Sequence, residues 1–218
     1  MQPLKPRTIF WDWDGTLVDS FETIRQAYNA ARSAFGLSSW SLEEAHANVA
    51  KSGRDTFPAM FGENAAAASD IFYSTYNRLA PELVKAKPGR AQLLRDLIDA
   101  GMMMAVVSNK RGDILRAEVK ALGWEGYFVA LVGSGDAATD KPSLAPMQLA
   151  ASNAGVRLTA DIPYIGDAPI DAEAAKIAGL SAVLLAGETH SREALSLAGE
   201  GVRVVNFREL PHLLIGKA

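Results

Sequence analysis

The chain has 218 residues, enough for one core with a modest inserted unit and too few for two large domains. Apolar residues make up 49% and charged residues 22%, the balance of a folded globular protein rather than a disordered chain. A net charge of -3, with Lys and Arg dispersed, gives no basis for a nucleic-acid or membrane-surface partner, and the lack of cysteine excludes disulfides and thiolate metal sites.

In chain order, the opening MQPLKPRTIFWDW has no continuous apolar segment of the kind a leader requires, and no later run nears the ~20 apolar residues of a membrane helix. A cytoplasmic protein with a small-molecule partner is expected; oligomeric state is not legible. Residues 8–13 are apolar, aromatic and β-branched up to Asp14-Gly15, which reads as a buried strand ending in a turn. From residue 21 to about 79 the texture is alanine-rich and helical: 21–36 closes on Gly36, 41–50 opens with Ser41 as N-cap, and 63–80 runs up to Pro81. Beyond Pro88-Gly89 helices and strands alternate. Helices are expected over 91–100, 114–122, 143–154 and 171–178, with strands over 102–108, 129–132, 162–165 and 182–185, then a weaker strand over 202–205 and a last helix.

Such alternation implies right-handed βαβ crossovers and an α/β fold: a doubly wound, mostly parallel sheet with a Rossmann-like core. The helical stretch interrupts the first crossover, so an α-helical cap domain over 21–86 is expected to be inserted into a core of 1–20 and 87–218. Hinge candidates are 19–21 and 86–89.

In a doubly wound sheet, ligands bind past the carboxyl ends of the strands, where strand order reverses. Four places there carry polar residues: Asp12 to Thr16, Ser108 to Lys110, Lys141-Pro142, and Gly166-Asp167 with Asp171. Carboxylates, a hydroxyl and one or two ammonium groups meeting at one edge suit a phosphate and a hard cation.

The strings WDWDGTLVDS (11–20), VVSNK (106–110), GSGDAATDKPSLAPMQLA (133–150) and YIGDAPIDAEAAKIAG (164–179) resemble the four ordered motifs of the haloacid dehalogenase-like hydrolase superfamily. The resemblance spans nearly the whole chain, the size and place of the cap included, and is strongest to the phosphoglycolate phosphatase branch. Ala168 stands where a hydroxyl residue is common.

The resemblance implies a Mg²⁺-dependent phosphatase acting on a small phosphorylated metabolite through an aspartyl-phosphate on Asp12. Asp12 and Asp14, two apart in an extended segment, project to one side, so one can attack while the other exchanges protons. Gly15 and Thr16 are expected at the phosphate, Ser108 and the Asn109 amide on its oxygens, and Lys141 as the cation that offsets its charge. The implied Mg²⁺ ligands are the Asp12 carboxylate, the Asp14 backbone carbonyl and Asp167. Asp171, at a helix start, would hold a metal-bound water or Lys141. Cap closure would exclude bulk water. In the cap, Arg54 is a candidate fork for a substrate carboxylate, whereas Lys110 reads as a surface lysine, and His46, His190 and His212 receive no role. The alternatives are a phosphomutase of the same superfamily and a non-catalytic binding protein that keeps the fold.

Overall fold

The computed structural model of the chain describes residue 4, residues 7–49 and residues 51–216. Residue 50, at the end of the helical segment expected over 41–50, and residues 1–3, 5–6 and 217–218 of the expected core lie outside the described residues.

The chain begins with β1 (Thr8–Trp11) and β2 (Val18–Asp19), then enters α1 (Phe21–Ala34), α2 (Leu42–Asn48), α3 (Gly53–Phe61) and α4 (Ala65–Leu83). It returns through β3 (Lys85–Ala86) to α5 (Arg90–Asp99), β4 (Met103–Arg111), α6 (Gly112–Ala121), β5 (Ala130–Ser134) and α7 (Leu144–Ala154). It ends with β6 (Pro163–Gly166), α8 (Pro169–Ala178), β7 (Ser181–Leu185), α9 (Arg192–Ser196), β8 (Arg203–Val205) and α10 (Leu210–Ile215). No helix among the described residues is long and apolar enough to cross a membrane.

Six strands form one sheet in the order β5-β4-β1-β6-β7-β8, and every pairing in it is parallel. Because successive residues of a strand face opposite sides, each strand feeds two cores. Ile9 and Trp11 of β1, with Met104 and Val106 of β4, pack on the face covered by α5, α6 and α10. Phe10, Ala105 and Val107 pack on the face covered by α7 and α8. The chain builds outward from β1 through β4 to β5, then crosses back to β6, β7 and β8, so the order reverses at β1. That reversal opens a crevice past the ends of β1, β4 and β6.

Between helices α1, α3 and α4 aromatic rings pack together, the Tyr28 ring lying 4.6 Å from Phe72 and 5.6 Å from Phe57, and this packing is continuous with the core on one face of the sheet. As the sequence suggests, Ser41 caps α2: its hydroxyl accepts from Glu44 N while Glu44 Oε2 accepts from Ser41 N. The two linkers to this helical unit pair with each other as an antiparallel ribbon, Val18 against Ala86 and Asp19 against Lys85.

Three local expectations change. β1 ends at Trp11 rather than Trp13, and a tight turn begins at Gly15. β4 runs three residues past its expected end at Ser108, through Asn109, Lys110 and Arg111, with a register shift after Val107. The five-residue α9 is too short to leave a periodic signal, although Ser191 caps it by accepting from Ala194 N.

Candidate active site

Where β1 ends, Asp12 N donates to the Ile165 carbonyl at 2.8 Å, which fixes the backbone of Asp12 beside β6. The turn after it needs a glycine: Gly15 has φ +78, and a Cβ there would stand 2.4 Å from Asp167 Oδ2. Sequence-distant carboxylates therefore come together, and one oxygen each of Asp12, Asp167 and Asp171 lies within 4.8 Å of the others.

One ammonium sits among them. Lys141 Nζ donates to Asp12 Oδ1 at 2.7 Å, to Asp171 Oδ1 at 2.8 Å and to the Tyr164 hydroxyl at 2.8 Å, which uses all its protons. Asp171 is fully engaged, since its Oδ2 also accepts from Asp167 N and Ala168 N. As the third residue of α8 it satisfies the backbone N–H of Ala168 at the helix start, and it holds Lys141, one of the two tasks expected of it. Burial and the neighbouring carboxylates push Asp12 well above the usual carboxylate range despite Lys141, and burial with the charge of Asp171 pushes Asp167 up to about 7.

Three carboxylates against one ammonium leave an excess of negative charge in a buried site. With Asp171 committed to protein donors, the oxygens of Asp12 and Asp167 fit a hard divalent cation. Thr16, expected at the phosphate, instead donates to Asp167 Oδ1 at 2.7 Å and orients it. Asn109 lines the cavity, and its side chain accepts from Lys141 N at 2.9 Å and donates to Lys141 O at 3.2 Å. It clamps the loop that carries Lys141. Ser108 is buried at the site, its Oγ accepting from Lys110 N at 3.2 Å, which leaves the hydroxyl proton for a ligand oxygen.

Lys110 corrects the surface reading. Its side chain is 5% exposed, and its Nζ lies 2.6 Å from Asp14 Oδ1 and 2.7 Å from Glu118. Although burial works against its charge, Asp14 and Glu118 keep the ammonium protonated beyond the ordinary lysine range. Glu118 also accepts from Trp13 Nε1 at 2.7 Å and Tyr76 OH at 2.6 Å.

These groups surround a cavity of about 340 Å³. Its floor includes Asp12, Asp14 and Asp167, and its roof takes Ile24, Tyr28 and Phe72 from α1 and α4. Arg54 is not part of its lining; both of its forked nitrogens bind Asp140, at 2.7 and 3.1 Å, so α3 is tied to the residue before Lys141. The guanidinium expected for a substrate carboxylate is spent on that pair. His46 and His190, given no role from the sequence, both line the cavity, and His190 Nδ1 donates to the Asp167 carbonyl at 3.1 Å.

The model of a family described as haloacid dehalogenase-like hydrolase matches residues 9–185. The chain is 30% identical over 213 residues to a phosphoglycolate phosphatase of Xylella fastidiosa, covering 96% of this chain and 91% of that one. Among solved structures, a hydrolase from Pseudomonas syringae superposes with a TM-score of 0.80 at 27% identity, covering 94% of this chain and 97% of that one. CbbY from Rhodobacter sphaeroides, solved in complex with xylulose-(1,5)bisphosphate, superposes with a TM-score of 0.82 at 22% identity, covering 96% and 100%.

Proposed function

The chain belongs to the haloacid dehalogenase-like hydrolase family, and from that premise we propose that, as a phosphoric monoester hydrolase, it cleaves a small phosphorylated metabolite through an aspartyl-phosphate on Asp12. The observation that carries this reading is the meeting of Asp12, Asp167 and Asp171 around Lys141 at the point where strand order reverses.

Residues 21–86 act as the cap, with 1–20 and 87–218 as the core. Asp12 attacks phosphorus as the ester P–O bond breaks, and Asp14 gives its proton to the leaving oxygen. Water then attacks the aspartyl-phosphate while Asp14, now a carboxylate, takes a proton from it; inorganic phosphate leaves and Asp12 is restored. The Ser108 hydroxyl donates to a phosphoryl oxygen, and the Lys141 ammonium, held beside Asp12, offsets through its charge the negative charge that grows in the transition state. A Mg²⁺ ion held by the Asp12 carboxylate, the Asp14 backbone carbonyl and Asp167 would offset the repulsion between a carboxylate nucleophile and a phosphate dianion.

Phosphoglycolate is the substrate to test first, because it names the Xylella fastidiosa relative. A phosphate-release screen over small phosphomonoesters with Mg²⁺ tests the reading. Turnover should be found, should vanish in Asp12→Asn, and should vanish on chelation. A folded protein that releases no phosphate from any ester, or an Asp12→Asn variant of undiminished rate, would overturn it.

A further inference from the structure

The buried cluster around Lys110 joins the core to the helical unit. Lys110 is the next-to-last residue of β4, and its Nζ contacts Asp14 Oδ1 at 2.6 Å, both oxygens of Glu118 at 2.7 and 2.9 Å, and the Tyr76 hydroxyl at 2.7 Å. Asp14 Oδ1 also accepts from Ser20 Oγ. Among the described residues no donor reaches Asp14 Oδ2, and Asp14 lines the cavity, so one oxygen is held and the other is presented.

Tyr76 is the member of this cluster from α4. Its O–H donates to Glu118 while its oxygen accepts from Lys110. If α4 moved away, Lys110 and Glu118 would each lose a buried hydrogen bond, and the ammonium would be free to shift between its two carboxylates. A buried ion pair is a poor route to stability, since a well-packed apolar replacement is often neutral or better. Its position beside a proton-transfer group gives it another use.

We propose that Lys110 is a positioning residue for Asp14, and that Tyr76 makes this positioning depend on α4 being seated over the cavity. The proton-transfer group is thereby aligned only when the cap is in place. This rests on the reading of Asp14 as the acid and base of the reaction.

Leaving-group dependence tests it. An alkoxide must be protonated as it departs, whereas 4-nitrophenolate leaves without help, and kcat/KM covers only the steps up to formation of the aspartyl-phosphate. The comparison is between the alkyl phosphate best turned over in the screen and 4-nitrophenyl phosphate. The double variant Lys110→Met/Glu118→Gln removes both buried charges together, and Tyr76→Phe removes one oxygen and keeps the ring. In the double variant, kcat/KM for the alkyl ester should fall by about 30-fold or more, with less than about a 3-fold change for the aryl ester. Tyr76→Phe should show the same selectivity at smaller size.

Equal falls on both esters, or none on either, would overturn the proposal. If the double variant does not fold, the Tyr76→Phe ratio decides. Asp14→Asn separates the two readings. Should it spare the alkyl ester, the role given to Asp14 fails; should it lose the alkyl ester selectively while neither other variant does, only the present inference fails.

Discussion

A methyl group at position 15 would meet the carboxylate of Asp167 at 2.4 Å, whereas at Gly36, which has a similar φ of +71, it would meet nothing within 4 Å. Both substitutions to Ala carry the same backbone cost, about 1–2 kcal/mol for a left-handed residue. They differ in what surrounds them. Gly15→Ala should therefore lose both melting temperature and most turnover, and Gly36→Ala melting temperature alone; equal activity in the two would show that the approach of Asp167 does not matter. The same contrast between local and distant causes decides what could be read from single residues. Asp12 and Asp167 were legible because their positions just past strand ends follow from local pattern, and Lys141 because its string resembles a family motif. Lys110 was not, because its partners Asp14, Glu118 and Tyr76 lie on a turn and two helices, and no periodicity links them. Arg54 was legible as a charged cap residue, yet its partner Asp140, 86 positions away, was not.

The linkers act as elements in their own right. β2 and β3 pair, and just past them Lys87 and Arg90 both bind Glu188 in the loop after β7, with Lys87 Nζ at 2.9 Å. The Arg90 guanidinium also lies over the Phe207 ring, 3.7 Å from its centroid. Partial burial raises the Glu188 carboxyl, but hydrogen bonds from Arg90 and Lys87 outweigh it and hold the group below its usual value of 4.5. A carboxylate whose folded value is depressed contributes stability that is fully present above the unfolded value and is lost as pH falls through the folded one. Glu188→Gln should thus cost about 2 kcal/mol at pH 7, with the gap to the parent protein closing below about pH 4.5. Denaturant unfolding at pH 7 and pH 3.5 measures this, and a gap that stayed constant would refute it. At this scale the long helices and buried strands were visible in apolar periodicity. The turn at Gly15 was visible too, but the ends of β1 and β4 were not, because where β1 stops pairing and where the register shifts after Val107 depend on the neighbouring strands.

For the whole molecule, metal binding should appear as stability. A ligand that binds only the folded state stabilises it by mass action, about 2.7 kcal/mol at a hundred times its Kd. Saturating Mg²⁺ should accordingly raise the melting temperature by roughly 5 °C or more. Asp167→Asn should abolish the shift; an equal shift in that variant would place the ion elsewhere. The alternation of strands and helices, the insertion after the first strand and the four motif strings all stand in the amino-acid sequence, since each is a local pattern of polarity, propensity or turn chemistry. Those patterns determined the α/β class and brought the family into view. Tertiary structure alone decided that Asp171 takes Lys141, one of its two expected partners, that Thr16 and Asn109 orient protein groups, and that Lys110 is buried between Asp14 and Glu118. The reason is that a charged side chain's partner is set by which residues share its buried volume. That depends on strand order and helix seating rather than on nearness along the chain.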